Sequence, residues 1–445
     1  MAFSSKIDAT RRRITQWMMR LVFRQSGGLT QIAARLPRAG IHRILVCRTV
    51  HMLGDSLLLT PLLEELSAVY PGAEIDIICG YAVAREIYGG FFSVGKIIQL
   101  PAHALRYPLR TLGALRQMKR THYDLVIDPD PQSQSGRLLT LLARKTYSLG
   151  FVGPKKSGKM THGVVVPGEP RHKGKIPVFL LRSALGETIL KDAYPPLCIA
   201  LTTFECRQGR EMLASMTEVS CGSRVKKGRI GIFANATDGK RLGIDWWTKF
   251  LEVFEPGAVD FDLIEILPAF GHSLLDCRYA GYFSTNVRKM ASVIANLSLF
   301  ISADCGVMHL ACASGAPTVG VFTVTDASEW GPYGDSNCAI DHRNLTPAQV
   351  AVQVLGLLNM WAMPKNLSVH CIDRSGHRSN GVAHGAEVLE CGETSSVVSV
   401  AHENFAQPLE PIMGRFNHPD PRLLFGIPPL SCFHSPYARF TRGAR

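Results

Sequence analysis

In RILVCRTVHMLGDSLLLTP, residues 43–61, an apolar run passes through one short turn into a helical pattern. Arg43–Arg48 reads as a strand buried on both faces, which belongs in a parallel sheet. Gly54 lets the backbone turn closely, and Asp55 stands at the helix entrance, where α/β sheets hold ligands. Two roles are open to Asp55 on this pattern: a cap of the helix, or a carboxylate that does chemistry in a cleft.

Outward from that stretch the rhythm repeats. Ala73–Cys79, Lys96–Leu100 and Tyr123–Asp128 read as further buried strands, with helices expected at Leu57–Tyr70, Leu109–Arg120 and Gly136–Arg144. Residues 41–175 are thus expected to form one doubly wound lobe. From about Gly153 to Gly174 the chain is rich in Gly, Pro and Lys, and to roughly Lys227 it shows no clean strand-helix alternation, so residues 176–228 are read as an interlobe region. Strands at Arg229–Ala234, Phe261–Leu267, Leu299–Ala303 and Pro317–Phe322 then alternate with helices at Asp245–Phe254, Asn286–Asn296 and Val307–Ser314. Thr346–Trp361, with Thr346 as cap and Pro347 as first helical residue, closes a second lobe over 229–362. The expected fold is α/β, two Rossmann-like doubly wound lobes facing a central cleft.

The chain has 445 residues, 46% hydrophobic and 19% charged, which excludes a disordered or collagen-like protein. Its net charge is +13, and Lys6, Arg11, Arg12, Arg13, Arg20, Arg24, Arg35, Arg38, Arg43 and Arg48 against Asp8 place nine of those charges before Thr49. So local a concentration does not suit a nucleic-acid groove. It fits either an attraction of residues 1–40 to an anionic membrane surface or a solvated basic arm. Within it Ile14–Phe23 sets Trp17, Met18, Leu21 and Val22 among arginines, the pattern of a short interfacial helix. No apolar run reaches the ~18 residues that span a bilayer, and the start lacks the apolar core of a signal peptide. The expectation is a cytoplasmic protein, peripheral on the cytoplasmic face of the inner membrane if the arm binds. Twelve scattered cysteines without C-x-x-C spacing read as reduced thiols. Residues 363–445 lose periodicity and read as an irregular or disordered tail.

A second strand-turn-helix, Ser302-Ala-Asp304-Cys305-Gly306-Val-Met-His309, places backbone N–H groups and the positive end of a helix where a diphosphate can sit. Gly306 would admit the phosphate, and His309 either touches the same ligand or makes a structural hydrogen bond. Asp304 is open to a cap role as well. Lys240 and Arg241, in the turn after the second lobe's first strand, supply cations for a leaving diphosphate. Asp128-Pro-Asp130 looks like a metal-binding pair but ends a strand of the other lobe, and turn chemistry is the reading preferred there; no metal site is expected.

Together these segments resemble the ADP-heptose:lipopolysaccharide heptosyltransferases, glycosyltransferase family 9. The likeness spans roughly Arg43–Gly334. It is carried by residues 43–63 with Leu53-Gly54-Asp55, by Tyr70-Pro-Gly-Ala-Glu-Ile, by Tyr123–Asp128, and by Asp304–Thr318 through Thr325-Asp326 to Trp330-Gly-Pro-Tyr-Gly334. The resemblance implies a GT-B fold and an inverting transfer of heptose from ADP-heptose to a lipopolysaccharide inner-core acceptor, a lipid-linked saccharide. It implies Asp55 as general base, and Lys240, Asp304, Cys305, Gly306 and His309 as donor-binding residues, with no metal or other cofactor. Cys305 stands where the family has Ser or Thr, Thr323-Val324 replaces Gly-Pro, and the ribose carboxylate has no counterpart around Leu267–Asp276. These departures leave two alternatives: a family 9 transferase using another nucleotide sugar, and a non-catalytic nucleotide-sugar-binding relative.

Overall fold

The computed structural model describes residues 35–362 except 81, 102–103, 105, 154–155, 157–158, 188–193, 218–225 and 335. The expected interfacial helix at Ile14–Phe23 and the tail from residue 363 lie outside the described residues.

Two all-parallel six-stranded sheets organise the chain. The first contains β1 (Arg43–Arg48), β2 (Glu74–Cys79), β3 (Val94–Gln99), β4 (His122–Asp128), β5 (Arg144–Val152) and β6 (His162–Val165), in the order β3-β2-β1-β4-β5-β6. β1 is central because it can be: Ile44, Leu45 and Val46 are fully buried, and Ile44 pairs with Ile75 on one side and Leu125 on the other. The second sheet contains β7 (Gly228–Phe233), β8 (Phe261–Ile266), β9 (Ala280–Tyr282), β10 (Leu299–Ala303), β11 (Thr318–Phe322) and β12 (Asn337–Asp341), in the order β12-β11-β10-β7-β8-β9. Both sheets therefore wind outward from their first strand in both directions. Each has its switch point beside that strand, between β1 and β4 and between β7 and β10.

The helix expected over Leu57–Tyr70 is found as α2 (Thr60–Val69), set off from a short helix before it, α1 (Leu53–Leu57). Pro61 lacks the N–H that would bond Leu57 O four residues back, and the Thr60 hydroxyl donates to that carbonyl instead, at 2.7 Å. Further along the first lobe run α3 (Ala84–Tyr88), α4 (Pro108–Lys119) and α5 (Gln134–Leu142), the last capped by Ser133.

Between Gly153 and Lys227 the sequence reading sees no alternation, but the structure has β6, α6 (Ile176–Leu185) and α7 (Thr203–Thr217) there. β6 is only four residues long, too short for a period to register. α6 packs on α2, β5 and β6, whereas α7 packs on α9 (Val287–Ile294) of the second lobe. The α7–α9 approach is close: a Cβ on Gly209 would fall 2.0 Å from Ser292 O. The second lobe is completed by α8 (Ile244–Gly257), α10 (Gly306–Ala313), α11 (Ala327–Trp330) and α12 (Pro347–Ala362), which packs on α8. Thr346 and Gln349 exchange hydrogen bonds at the start of α12, a capping box.

One apolar cluster runs through the seam between the lobes, joining Leu57, Leu58 and Leu62 of the first to Val307, Leu310 and Ala311 of the second. At the side of the seam Arg288 ties three segments together. Its guanidinium donates to the carbonyls of Glu86, Ile199 and Ala200 and pairs with Glu205 at 2.6 Å, while the Glu86 carboxylate accepts from Val287 N. Among the described residues no helix is long and apolar enough to cross a membrane.

Candidate active site

The candidate residues follow the strands at the two switch points: Asp55 after β1, Asp130 after β4, Lys240 after β7, and Asp304–His309 after β10. The fold sets the two lobes so that these turns meet. The start of α1 abuts the start of α10: a Cβ on Gly306 would lie 3.1 Å from Gly54 N, and one on Gly54 would lie 2.8 Å from His309 Cδ2. Glycine at both positions is what lets the two turns come together.

Asp55 is not a helix cap. Met52 takes that position and Asp55 falls in the first turn of α1, its side chain 27% exposed toward the cleft. Burial raises its pKa above the ordinary carboxylate range. Arg48 opposes this, and Asp130 adds to it by repulsion; Lys240 and Lys173 lie near enough to lower it further. Arg48, the last residue of β1, is 6% exposed and reaches Asp55 Oδ1 at 3.7 Å, Asp55 O at 3.1 Å and Asp130 Oδ2 at 3.4 Å. Asp130 accepts from the amides of Gln132 and Ser133, the turn chemistry expected of it, and against its burial Arg48 and these amides hold its carboxyl below the usual range. Asp128 is not in the cleft. It is wholly buried, pairing with Arg137 at 3.1 Å and Lys156 at 2.8 Å.

Across the seam Lys240 ends a 3₁₀ turn, and its Nζ lies 2.9 Å from Asp304 Oδ2. The Thr325 hydroxyl donates to the same oxygen. Asp304, 3% exposed, is not the cap of α10 either; its carboxylate holds Lys240 and Thr325 over the start of that helix. The cap position belongs to Cys305, whose sulfur faces Ser302 Oγ at 3.3 Å and lies against the amides of Val307 and Met308, a weak acceptor in place of a cap oxygen. The first-turn amides of α10 are thus not taken up by a cap oxygen, and the helix dipole favours negative charge beside them. His309 is 3% exposed, and burial is the main cause of its pKa being lowered to about 4, so its imidazole is neutral at pH 7. Its Nδ1 has no hydrogen-bond partner. A neutral ring in that place is a spacer and hydrogen-bond partner and adds no cation. Arg241 is exposed and no hydrogen bond or ion pair ties it to this group.

Sequence reasoning missed Arg48 and the crossing segment 171–175. Arg48 had a signal, a charge closing an otherwise apolar strand. His172 accepts from Gly174 N at Nδ1 and donates from Nε2 to Gly331 O at 2.7 Å, with Tyr333 edge-on to its ring, and Lys173 pairs with Glu329 at 2.8 Å. Nothing in its composition marks that segment as part of the cleft wall. Glu265, in β8, stands just before the Leu267–Asp276 stretch. It is committed to Ser273 Oγ and Leu274 N, which fold the following loop over it.

Two doubly wound lobes with strand-end turns meeting in one cleft form the GT-B architecture. Residues 283–358 match the family model described as glycosyltransferase family 9 (heptosyltransferase). The fold is similar to that of a glycosyl transferase family 9 protein from Veillonella parvula, at 17% identity and a TM-score of 0.58, covering 75% of this chain and 98% of that one. It is similar also to E. coli heptosyltransferase WaaC with ADP, at 18% identity and a TM-score of 0.54, covering 72% and 99%. E. coli ADP-heptose lps heptosyltransferase II aligns at 17% identity and a TM-score of 0.53, again over 72% and 99%. No curated protein matches the chain by sequence.

Proposed function

We propose that the chain transfers heptose from ADP-heptose to an inner-core lipopolysaccharide acceptor with inversion at the anomeric carbon. The observation that carries this reading is the meeting of the Asp55 turn with the Lys240–Asp304–His309 group across the Gly54–Gly306 seam. Asp55 takes the proton of the acceptor hydroxyl, and its raised pKa suits a base. The freed oxygen attacks the anomeric carbon, while the bond from that carbon to the diphosphate oxygen breaks and its electron pair leaves with ADP. Lys240 and the first-turn amides of α10 meet the growing negative charge. Lys240 spends one of its N–H donors on Asp304 and keeps two for phosphate. Gly306 lets the start of α10 close on Gly54, Cys305, a weak sulfur acceptor, yields the first-turn amides to the stronger diphosphate acceptor, and His309 fills the seam behind them.

The test is Asp55→Asn, assayed with ADP-heptose and a lipid A–core acceptor. Transfer should fall by roughly 10²–10⁴-fold, the range for loss of a general base, with ADP binding and thermal midpoint unchanged. Undiminished transfer removes Asp55 from the mechanism. Running the parent protein with other nucleoside-diphosphate sugars assigns the donor, and turnover with one of these in place of ADP-heptose replaces the donor in the proposal and leaves its chemistry.

A further inference from the structure

The solvent side of α4 does not have the polar character expected of a surface helix. Ala114 and Met118 pack inward on the first sheet. On the opposite side Leu109, Leu112, Gly113 and Arg116 recur at i, i+3, i+4 and i+7, the spacing of one helix face. Leu109 is 83% exposed and Leu112 41%, and Tyr107, at the cap position, is 42% exposed. The guanidiniums of Arg106 and Arg110 lie 5.9 and 5.7 Å from the Tyr107 ring centre. Between Glu86 and Asp124 the sequence has no carboxylate, while Lys96, Arg106, Arg110, Arg116, Lys119 and Arg120 fall within that stretch. α4 begins beyond the C-terminal end of β3, the edge of the sheet where Asp55 and Asp130 follow β1 and β4.

We propose that α4, with Arg106 and Tyr107, is a docking surface for an anionic phospholipid bilayer. Apolar side chains set among cations, with an aromatic ring at one end, match the boundary between headgroups and acyl chains. Leu109 and Leu112 enter that boundary, Tyr107 lies at the headgroup level, and the arginines meet lipid phosphates. The absence of carboxylates selects an anionic surface. Docking there turns the Asp55 edge of the first sheet toward the lipid, where a membrane-borne acceptor presents its sugars. This inference does not depend on the role of Asp55.

The experiment is flotation of the full chain with phosphatidylglycerol–phosphatidylcholine vesicles that contain no saccharide lipid. Leu109→Glu with Leu112→Glu should lower partition at least tenfold, and Arg110→Gln, Arg116→Gln and Lys119→Gln should each lower it about fivefold. Residues 1–34 are present in every protein compared, so the ratios isolate α4. All of these side chains are exposed, so thermal midpoints and ADP affinity should hold, and added salt should weaken binding by the parent. Equal partition of parent and variants overturns the proposal. So does a variant that keeps its vesicle binding and loses affinity for a soluble anionic saccharide, since the face is then an acceptor subsite.

Discussion

Gly54→Ala tests the seam with a single methyl group. The added Cβ would lie 2.8 Å from His309 Cδ2 and 3.4 Å from Gly306 Cα. Carbon atoms rest at about 3.5–4.0 Å, so roughly 0.7 Å must be found by moving a buried ring or parting the lobes. Gly54 is not among the positive-φ glycines, so alanine brings no backbone strain and the contact is the whole effect. Overpacking of this kind costs about 1–3 kcal/mol, which lowers the population of the joined cleft roughly 5- to 150-fold. The assay is kcat/KM for transfer, measured for Gly54→Ala, His309→Ala and the double variant. With the imidazole gone the methyl has room, so Gly54→Ala should cost little on the His309→Ala background, a coupling of at least about 1 kcal/mol. Equal loss on both backgrounds, or full activity of Gly54→Ala alone, would refute the idea that these two turns must touch.

Arg48 lowers the pKa of Asp55 and Asp130 raises it, so Arg48→Gln should move the acid limb of the kcat/KM–pH profile to higher pH and Asp130→Asn should move it to lower pH; profiles that do not move, or move the other way, remove this control of Asp55. His172 and His309 are both held neutral by burial, with pKa values lowered from 6.5 to about 4. The unfolded chain takes up protons at these sites first, so their stabilisation is complete above pH 6.5 and is lost as pH falls through about 4, on the order of 3 kcal/mol for each. Denaturant midpoints at pH 7 and pH 4.5 should show the fall, and His172→Gln should make it shallower; equal slopes for the two proteins would contradict the burial argument.

The central strands were legible because β1, β4, β7 and β10 are buried on both faces and so read as unbroken apolar runs. β10 is found at the residues expected, Leu299–Ala303. Edge strands such as β9, three residues long, give no period to read. Gly54, Asp55, Lys240, Asp304, Gly306 and His309 could be picked out because each sits in a turn directly after a central strand. Their roles relative to one another could not. That Asp304 is taken up by Lys240, some sixty residues earlier in the chain, and that Arg48 stands between Asp55 and Asp130, are facts of packing between distant segments. The segment from Gly153 to Lys227 misled for the same reason. α6 and α7 are held by opposite lobes, so no single amphipathic rhythm runs through both.

Arg288 grips the lobes through the main chain, and this has a consequence for how the sequence can drift. The carbonyls of Glu86, Ile199 and Ala200 are present whatever side chains stand there, so substitution at 199 and 200 leaves the acceptors in place. The donors all belong to one guanidinium, and lysine cannot reproduce its planar fork. The main-chain part of this join is therefore tolerant of change on the acceptor side and intolerant on the donor side, so that in descendants of this chain residue 288 should outlast residues 199 and 200.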